Sequence, residues 1–348
     1  MTFDDSFKKG TEAMVQGKWA EAPVLLRNAL DCLVKRATEC GPGTRGKNKD
    51  QELEGAVRAK LGYCFRLSGR FEDSRKEYES VRSIAEQLKD DRLMSEALMG
   101  LGFVAWRADD HKGARQDFEK AIKLASKTHD KYVKGMALMG IGNLALTVRN
   151  LEEGIRVYEE ARPNLENFPE AKTDYARLLH NLAFLYFKKG DYEKALEIFK
   201  KALAISEPLG DVHISGFTLV NMAQIYIKMD KLEEAEKAIE KGGRLLARSN
   251  DRIGLNLVSW AKGLLKAKKG SNEEALELYR RARRGYEEIG MATQVLYLTI
   301  DFLPVFKTVG HIKEAHEVLA NLRKHFNEKD IPELKQKVEE ADKLLSAK

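Results

Sequence analysis

Residues 182–202 read LAFLYFKKGDYEKALEIFKKA, and the spacing of their apolar side chains decides the fold. Leu179, Leu182, Ala183 and Tyr186 fall on one face of a helix. After the break at Lys188-Lys189-Gly190-Asp191, Ala195, Ile198, Phe199 and Ala202 fall on one face of another. The stretch predicts two amphipathic helices joined by a tight turn. Small residues equivalent to Ala195 stand at Ala22, Ser74, Ala114, Gly154, Ala235, Ala275 and Ala315, giving spacings of 52, 40, 40, 41, 40, 40 and 40 along the chain. Equivalents of Ala183 stand at Gly10, Gly62, Gly102, Gly142, Ala223, Gly263 and Leu303. Eight helix pairs therefore share one register, broken once between the first and the second. One such pair cannot bury its apolar face alone, and stacking its neighbours makes the core continuous. The predicted class is an all-α solenoid.

At these residues the chain resembles the tetratricopeptide repeat family. Leu182-Ala183-x-x-Tyr186, Ala195-x-x-x-Phe199 and Ala202 follow the family pattern, and Leu61-Gly62-Tyr63, Leu101-Gly102-Phe103 and Ile141-Gly142-Asn143 follow its first half. The period departs from the usual one and is similar to the longer repeats of kinesin light chains, Leu-Gly-Asn-repeat cell-polarity adaptors and bacterial peptide-pheromone receptors. The excess amounts to about 9 Å of helix per repeat at ~1.5 Å rise per residue. The resemblance implies a right-handed superhelix whose first helices line a concave, partner-binding face. The expected repeats lie near 3–40, 53–90, 93–130, 133–170, 174–210, 214–250, 254–290 and 294–330, forming one array over 1–330.

The long first spacing holds Gly41-Pro42-Gly43-Thr44-Arg45-Gly46-Lys47-Asn48, which imitates the front of a phosphate-binding P-loop. That motif needs a Ser or Thr after its lysine and a strand before its first glycine. Asn48 stands in the first place and a helix in the second, so the reading is an exposed basic loop inserted over 41–52. The 348 residues are 43% hydrophobic and 33% charged, with a formal net charge of +6, which suits a folded chain and falls short of a nucleic-acid binder's basic bias. Three cysteines, Cys32, Cys40 and Cys64, without CxxC spacing, point to a reducing compartment. The start, MTFDDSFKKG, lacks the pattern of a secretion signal, and no apolar run approaches a membrane span's ~20 residues. The expected location is cytoplasmic.

With the Ala183 column as position 8 of each first helix, the family resemblance makes positions 2, 5, 9, 12 and 13 inward. They bring up Glu96, Met99, Phe103, Trp106 and Arg107 in the third repeat and Phe184, Phe187 and Lys188 in the fifth. The sixth gives Phe217, Ile227 and Lys228, and the seventh Trp260 and Lys268. So apolar a lining implies a cover. The expected partner is an apolar or amphipathic protein segment anchored by Phe103, Trp106, Phe184, Phe187, Phe217, Ile227 and Trp260, with Asn143, Asn181 and Asn221 nearby. Closure of the array on itself, or a homodimer, would cover the same face. Arg107, Lys188, Lys228 and Lys268 form a one-per-repeat basic ladder, which a helix C-terminus favours whatever the ligand. The alternative readings are an RNA-associated repeat protein using that ladder and a self-assembling array; neither nucleic acid nor membrane is the expected partner. The carboxylate clamp of some family members is not reproduced.

No Ser/His/Asp or Cys/His grouping emerges, and His311 and His316, five apart, do not share a helix face as metal ligands would. No enzyme activity and no cofactor are expected. The tail 331–348 reads as a helix with a stripe of Leu334, Val338, Ala341 and Leu345, expected to cap the last repeat or else to fold back into the groove.

Overall fold

The computed structural model describes residues 2–40, 44–328 and 332–346. Among the described residues there are seventeen α-helices, one short 3-10 helix and no strand. The chain groups into two compact units, Met1–Leu209 and Gly210–Lys348.

The N-terminal unit holds five helix pairs: α1 (Phe3–Val15) with α2 (Ala22–Cys40), α3 (Thr44–Leu67) with α4 (Phe71–Leu88), α5 (Asp91–Arg107) with α6 (His111–Lys127), α7 (Lys131–Thr147) with α8 (Leu151–Leu165), and α9 (Lys172–Lys189) with α10 (Tyr192–Ser206). The C-terminal unit holds α11 (Val212–Lys228) with α12 (Leu232–Arg248), α13 (Arg252–Lys268) with α14 (Asn272–Glu288), α15 (Ala292–Val309) with α16 (Ile312–Glu328), and α17 (Pro332–Ser346). Within each unit the chain is an α-solenoid: second helices wedge against the first helix of their own and of the next repeat.

The turns explain how pairs follow one another so closely. A residue in the left-handed region precedes an Asp or Asn whose side chain caps the next helix. Asp109 (φ 60°) precedes Asp110, and His129 (φ 57°) precedes Asp130; Gly190 and Gly210 do the same for Asp191 and Asp211. The first reverses the chain, and the second satisfies an N–H that the new helix leaves open.

One aromatic or aliphatic side chain per second helix forms the core between repeats. Tyr78, Phe118, Tyr158, Phe199 and Tyr279 are all buried. Glycine admits them: a Cβ on Gly62 would lie 2.8 Å from the Tyr78 ring, and one on Gly100, in the next repeat, 2.3 Å. Phe118 is held likewise between Gly102 and Gly140. The recurrent Leu-Gly of the sequence is thus a packing device.

Two irregularities of the period have structural counterparts. The expected loop over 41–52 is helical from Thr44 onward, so the extra residues lengthen α2 and α3 into helices of 19 and 24 residues. The P-loop-like Gly46-Lys47 therefore lies in a helix, while Gly41–Gly43 lie outside the described residues. Gln51, Glu52, Leu53 and Glu54 are good helix formers, and they extend a helix already fixed by the buried Val57, Ala59 and Leu61. The 41-residue spacing falls between α8 and α9, where a 3-10 turn, Pro169–Ala171, replaces the usual tight turn.

Helix α17 packs on α15 and α16, with Leu334, Val338, Ala341 and Leu345 buried. Its Asp342 meets His316 Nδ1 at 2.7 Å and Arg323 Nη2 at 3.0 Å. The helix closes the end of the C-terminal unit.

Candidate binding surfaces

Part of the inward column of the N-terminal unit is consumed by the unit itself. Tyr63 and Arg66 on α3 reach across three repeats to Asp174 at the start of α9. The Tyr63 hydroxyl donates to Asp174 Oδ2 at 2.6 Å, and Arg66 Nη2 lies 3.1 Å from the same oxygen. Tyr63 and Asp174 are buried, and Arg66 presents only 9% of its side chain to solvent. The Arg66 guanidinium also sits 4.5 Å over the Phe103 ring and 4.9 Å over that of Tyr63. Burial works to strip Arg66 of its proton, and the Asp174 carboxylate more than offsets this, holding the group charged. Burial pushes the Tyr63 phenol well above its ordinary range, helped by the same carboxylate.

Beside this tie lies a cavity of about 480 Å³. Ala59 and Tyr63 of α3, Glu96 and Met99 of α5, Tyr132 of α7 and Phe168 ahead of the 3-10 turn line it. Burial raises the Glu96 carboxyl above its ordinary value. The irregular α8–α9 junction supplies the cavity's far wall, since Phe168 and Glu170 both come from it.

The residues expected to bind a partner divide by exposure. Phe103 is a correction: at 1% exposed it lies under Arg66 and edge-on to Phe118, with ring centroids 5.0 Å apart, and offers no surface. Asn143 is corrected too. It is buried, and its Oδ1 accepts from the Tyr158 hydroxyl at 2.6 Å and from Asn181 Nδ2 at 3.2 Å, so the amides satisfy the repeat junction. Phe187 is buried beside Phe184 and Tyr192. Trp106, Asn181 and Phe184 are half-buried, while Arg107 and Lys188 are exposed. Arg107 lies 5.1 Å over Phe71 and 5.9 Å over Trp106; Lys188 lies 5.2 Å over Phe184. Trp106 Nε1 donates to Thr147 Oγ1 at 3.3 Å.

In the C-terminal unit Asn221, Ile227 and Trp260 are buried, again against expectation, because the first helices of consecutive repeats cover one another. Trp260 Nε1 donates to Asp301 Oδ2 at 3.2 Å, and Lys228 lies 3.9 Å from Asp301 Oδ1, so one ladder cation is engaged within the unit. Phe217 is half-buried against His213; Lys228 and Lys268 are exposed. Gln224 is buried with its Nε2 unpartnered.

Exposed large apolar side chains, such as Val24, Val148 and Ile253, are scattered rather than gathered on the inward columns. The expected open apolar groove is therefore replaced, in the N-terminal unit, by a tie and a cavity of mixed polarity. Tyr63 and Arg66 were missed although the same register gives them, as positions 9 and 12 of the second repeat. Asp174 and Phe168 carry no such signal, because their junction breaks the period. Among the described residues no cluster of His, Cys, Asp and Glu could hold a metal, and no helix is long and apolar enough to cross a membrane.

The tetratricopeptide repeat pattern matches residues 53–127, 134–207 and 174–246, more than half of the chain. The chain belongs to the tetratricopeptide repeat family. As a member of that family it is similar, over 144 residues at 29% identity, to the antiviral innate immune response effector IFIT1 of Macaca fascicularis; the match takes in 36% of this chain and 29% of that protein. The fold is shared with a Rap protein solved in complex with Competence and Sporulation Factor, at TM-score 0.59 and 15% identity, covering 97% of this chain and 99% of that one. It is also shared with the Rap conjugation gene regulator of plasmid pLS20 in complex with the Phr* peptide, at TM-score 0.53 and 13% identity, covering 99% and 95%.

Proposed function

We propose that this tetratricopeptide repeat protein is a non-enzymatic interaction adaptor that holds a peptide segment of a protein partner on the inward face of its N-terminal unit. The observation that carries the reading is the cavity of about 480 Å³ on that face, within the ~300–1,000 Å³ usual for ligand sites. Its walls combine aromatic rings with charged side chains of both signs, groups that can orient a ligand. The peptide-bound regulator of the same fold lends support. Trp106, Arg107, Asn181, Phe184 and Lys188 are the accessible candidates for contacts beyond the cavity. In the C-terminal unit the accessible candidates are Phe217, Lys228 and Lys268.

Selection of a random peptide library on the immobilised full chain tests this. Enriched peptides should bind in solution and lose binding to Ala56→Trp, which places a ring in the cavity from a half-buried lining position. The variant's melting temperature should stay near that of the parent. The RNA reading has its own signature: affinity for single-stranded RNA falling steeply with salt and lost on Arg107→Glu/Lys188→Glu. That result, with no peptide enriched, would overturn the adaptor reading.

A further inference from the structure

We propose that the cavity of the N-terminal unit takes an organic cation, a guanidinium or primary ammonium group, held by the Glu96 carboxylate beside the rings of Tyr132 and Phe168. The inference rests on the cavity being the binding site named above and specifies what that site selects.

The charges around the cavity carry the argument. Glu96, half-buried on the wall of the partly open cavity, makes no hydrogen bond or ion pair with any described residue. The cations nearest to it are otherwise directed. Lys60 Nζ lies 5.8 Å over the ring of Phe7 on α1, and Arg92, mostly exposed, points to Asp130 at 3.4 Å. Asp130 is also occupied by capping α7, accepting from the Val133 N–H at 3.0 Å. Lys131 and His129 are at the surface end of the lining. A carboxylate partly withdrawn from water and without a partner is costly, and its raised proton affinity reports that cost. A cationic group relieves it, whereas an apolar group would leave it unrelieved. The rings of Tyr132 and Phe168 favour the same sign, since aromatic faces attract cations, while the Tyr63 ring already carries Arg66 at 4.9 Å. Glu170, on the opposite wall, adds a second lining carboxylate with no ion pair among the described residues.

The cation can arrive as a free small amine or as an Arg or Lys side chain of a peptide. Isothermal titration of the full chain with agmatine, cadaverine, acetyl-arginine amide and acetyl-citrulline amide separates these. We expect saturable one-to-one binding of the cations, with citrulline, the neutral isostere of arginine, bound at least about tenfold more weakly. Glu96→Gln, nearly isosteric, should weaken the cations by at least about tenfold and leave citrulline unchanged. Lys60→Met, which removes the competing charge, should tighten them severalfold. Agmatine matching acetyl-arginine amide would assign the site to free amines; a clear preference for the capped amino acid would assign it to peptides. Either supports the inference. No binding by any probe at ~10 mM overturns it, as does citrulline binding as well as arginine or Glu96→Gln staying within twofold of the parent. Should Glu96→Gln fail to fold, Lys60→Met decides, and unchanged or weaker binding overturns the inference. Library peptides that need the cavity but carry no basic group would overturn the cation assignment and leave the adaptor reading intact. Cations bound where no peptide is ever enriched would do the reverse.

Discussion

Replacing Asp174 by Asn should loosen the N-terminal unit by about 3–5 kcal/mol, the usual cost of removing one partner from a buried ion pair. Asp174 is 1% exposed, and Arg66 presents only 9% of its side chain to solvent. The amide keeps the volume and an acceptor for the Tyr63 hydroxyl, now 2.6 Å away, but removes the charge opposite Arg66. A guanidinium cannot shed its proton to escape. Its contacts over Phe103 and Tyr63 recover part of the loss, which argues for the lower end of the range. The double variant Arg66→Met/Asp174→Asn, with neither charge buried, should return to within about 1 kcal/mol of the parent. A single melting temperature is ill-suited to a chain of two units. Hydrogen exchange resolved by helix is the better assay: amides of α3 and α9 should exchange at least about a hundredfold faster, at ~1.4 kcal/mol per tenfold, while those of α13 stay unchanged. A change below tenfold, or a double variant as loose as the single one, would refute the tie as a fastening of the unit.

Gly140→Ala places a methyl group 2.3 Å from the Phe118 ring and should cost about 1–3 kcal/mol by overpacking, read as a lower urea midpoint. Lys89, exposed and left-handed at φ 53°, ends α4; Lys89→Gly should stabilise by up to about 1 kcal/mol, and a loss of stability would contradict the turn geometry. Glu96→Gln should stabilise the chain at neutral pH, because the folded state holds the Glu96 proton more tightly than the unfolded chain does. For a carboxyl raised in this way the penalty is present above the folded value and disappears below the ordinary one. The advantage of the variant should therefore shrink as pH falls through the raised range and vanish below about 4.5, measured by urea midpoints at a series of pH values.

Most of the helical architecture was legible in the sequence because it repeats. A 40-residue register fixes which residues face the next repeat, and Gly62, Gly102 and Gly142 record where rings approach the backbone. The same register named Glu96 and Met99 as inward, and both line the cavity. It also favoured Phe103, Phe187, Ile227 and Trp260 as exposed anchors, and these are buried. The reason is that a periodic column states a direction, not whether something lies across from it. Contacts between neighbouring repeats follow from the period, whereas the reach from Tyr63 to Asp174, 111 residues apart, depends on how successive repeats curve. That curvature is summed over many small packing angles, none of which a residue pattern spells out.

The sequence by itself determined the class, the helix pairs and the small residues that let aromatic side chains lock one repeat to the next, because these are nearest-neighbour properties written once per period. Only the tertiary structure decided that the N-terminal unit fastens its second repeat to its fifth, that the cavity's far wall comes from the one junction where the period slips, and that Glu96 stands there without a partner, because burial and charge pairing between distant repeats are properties of the folded curve.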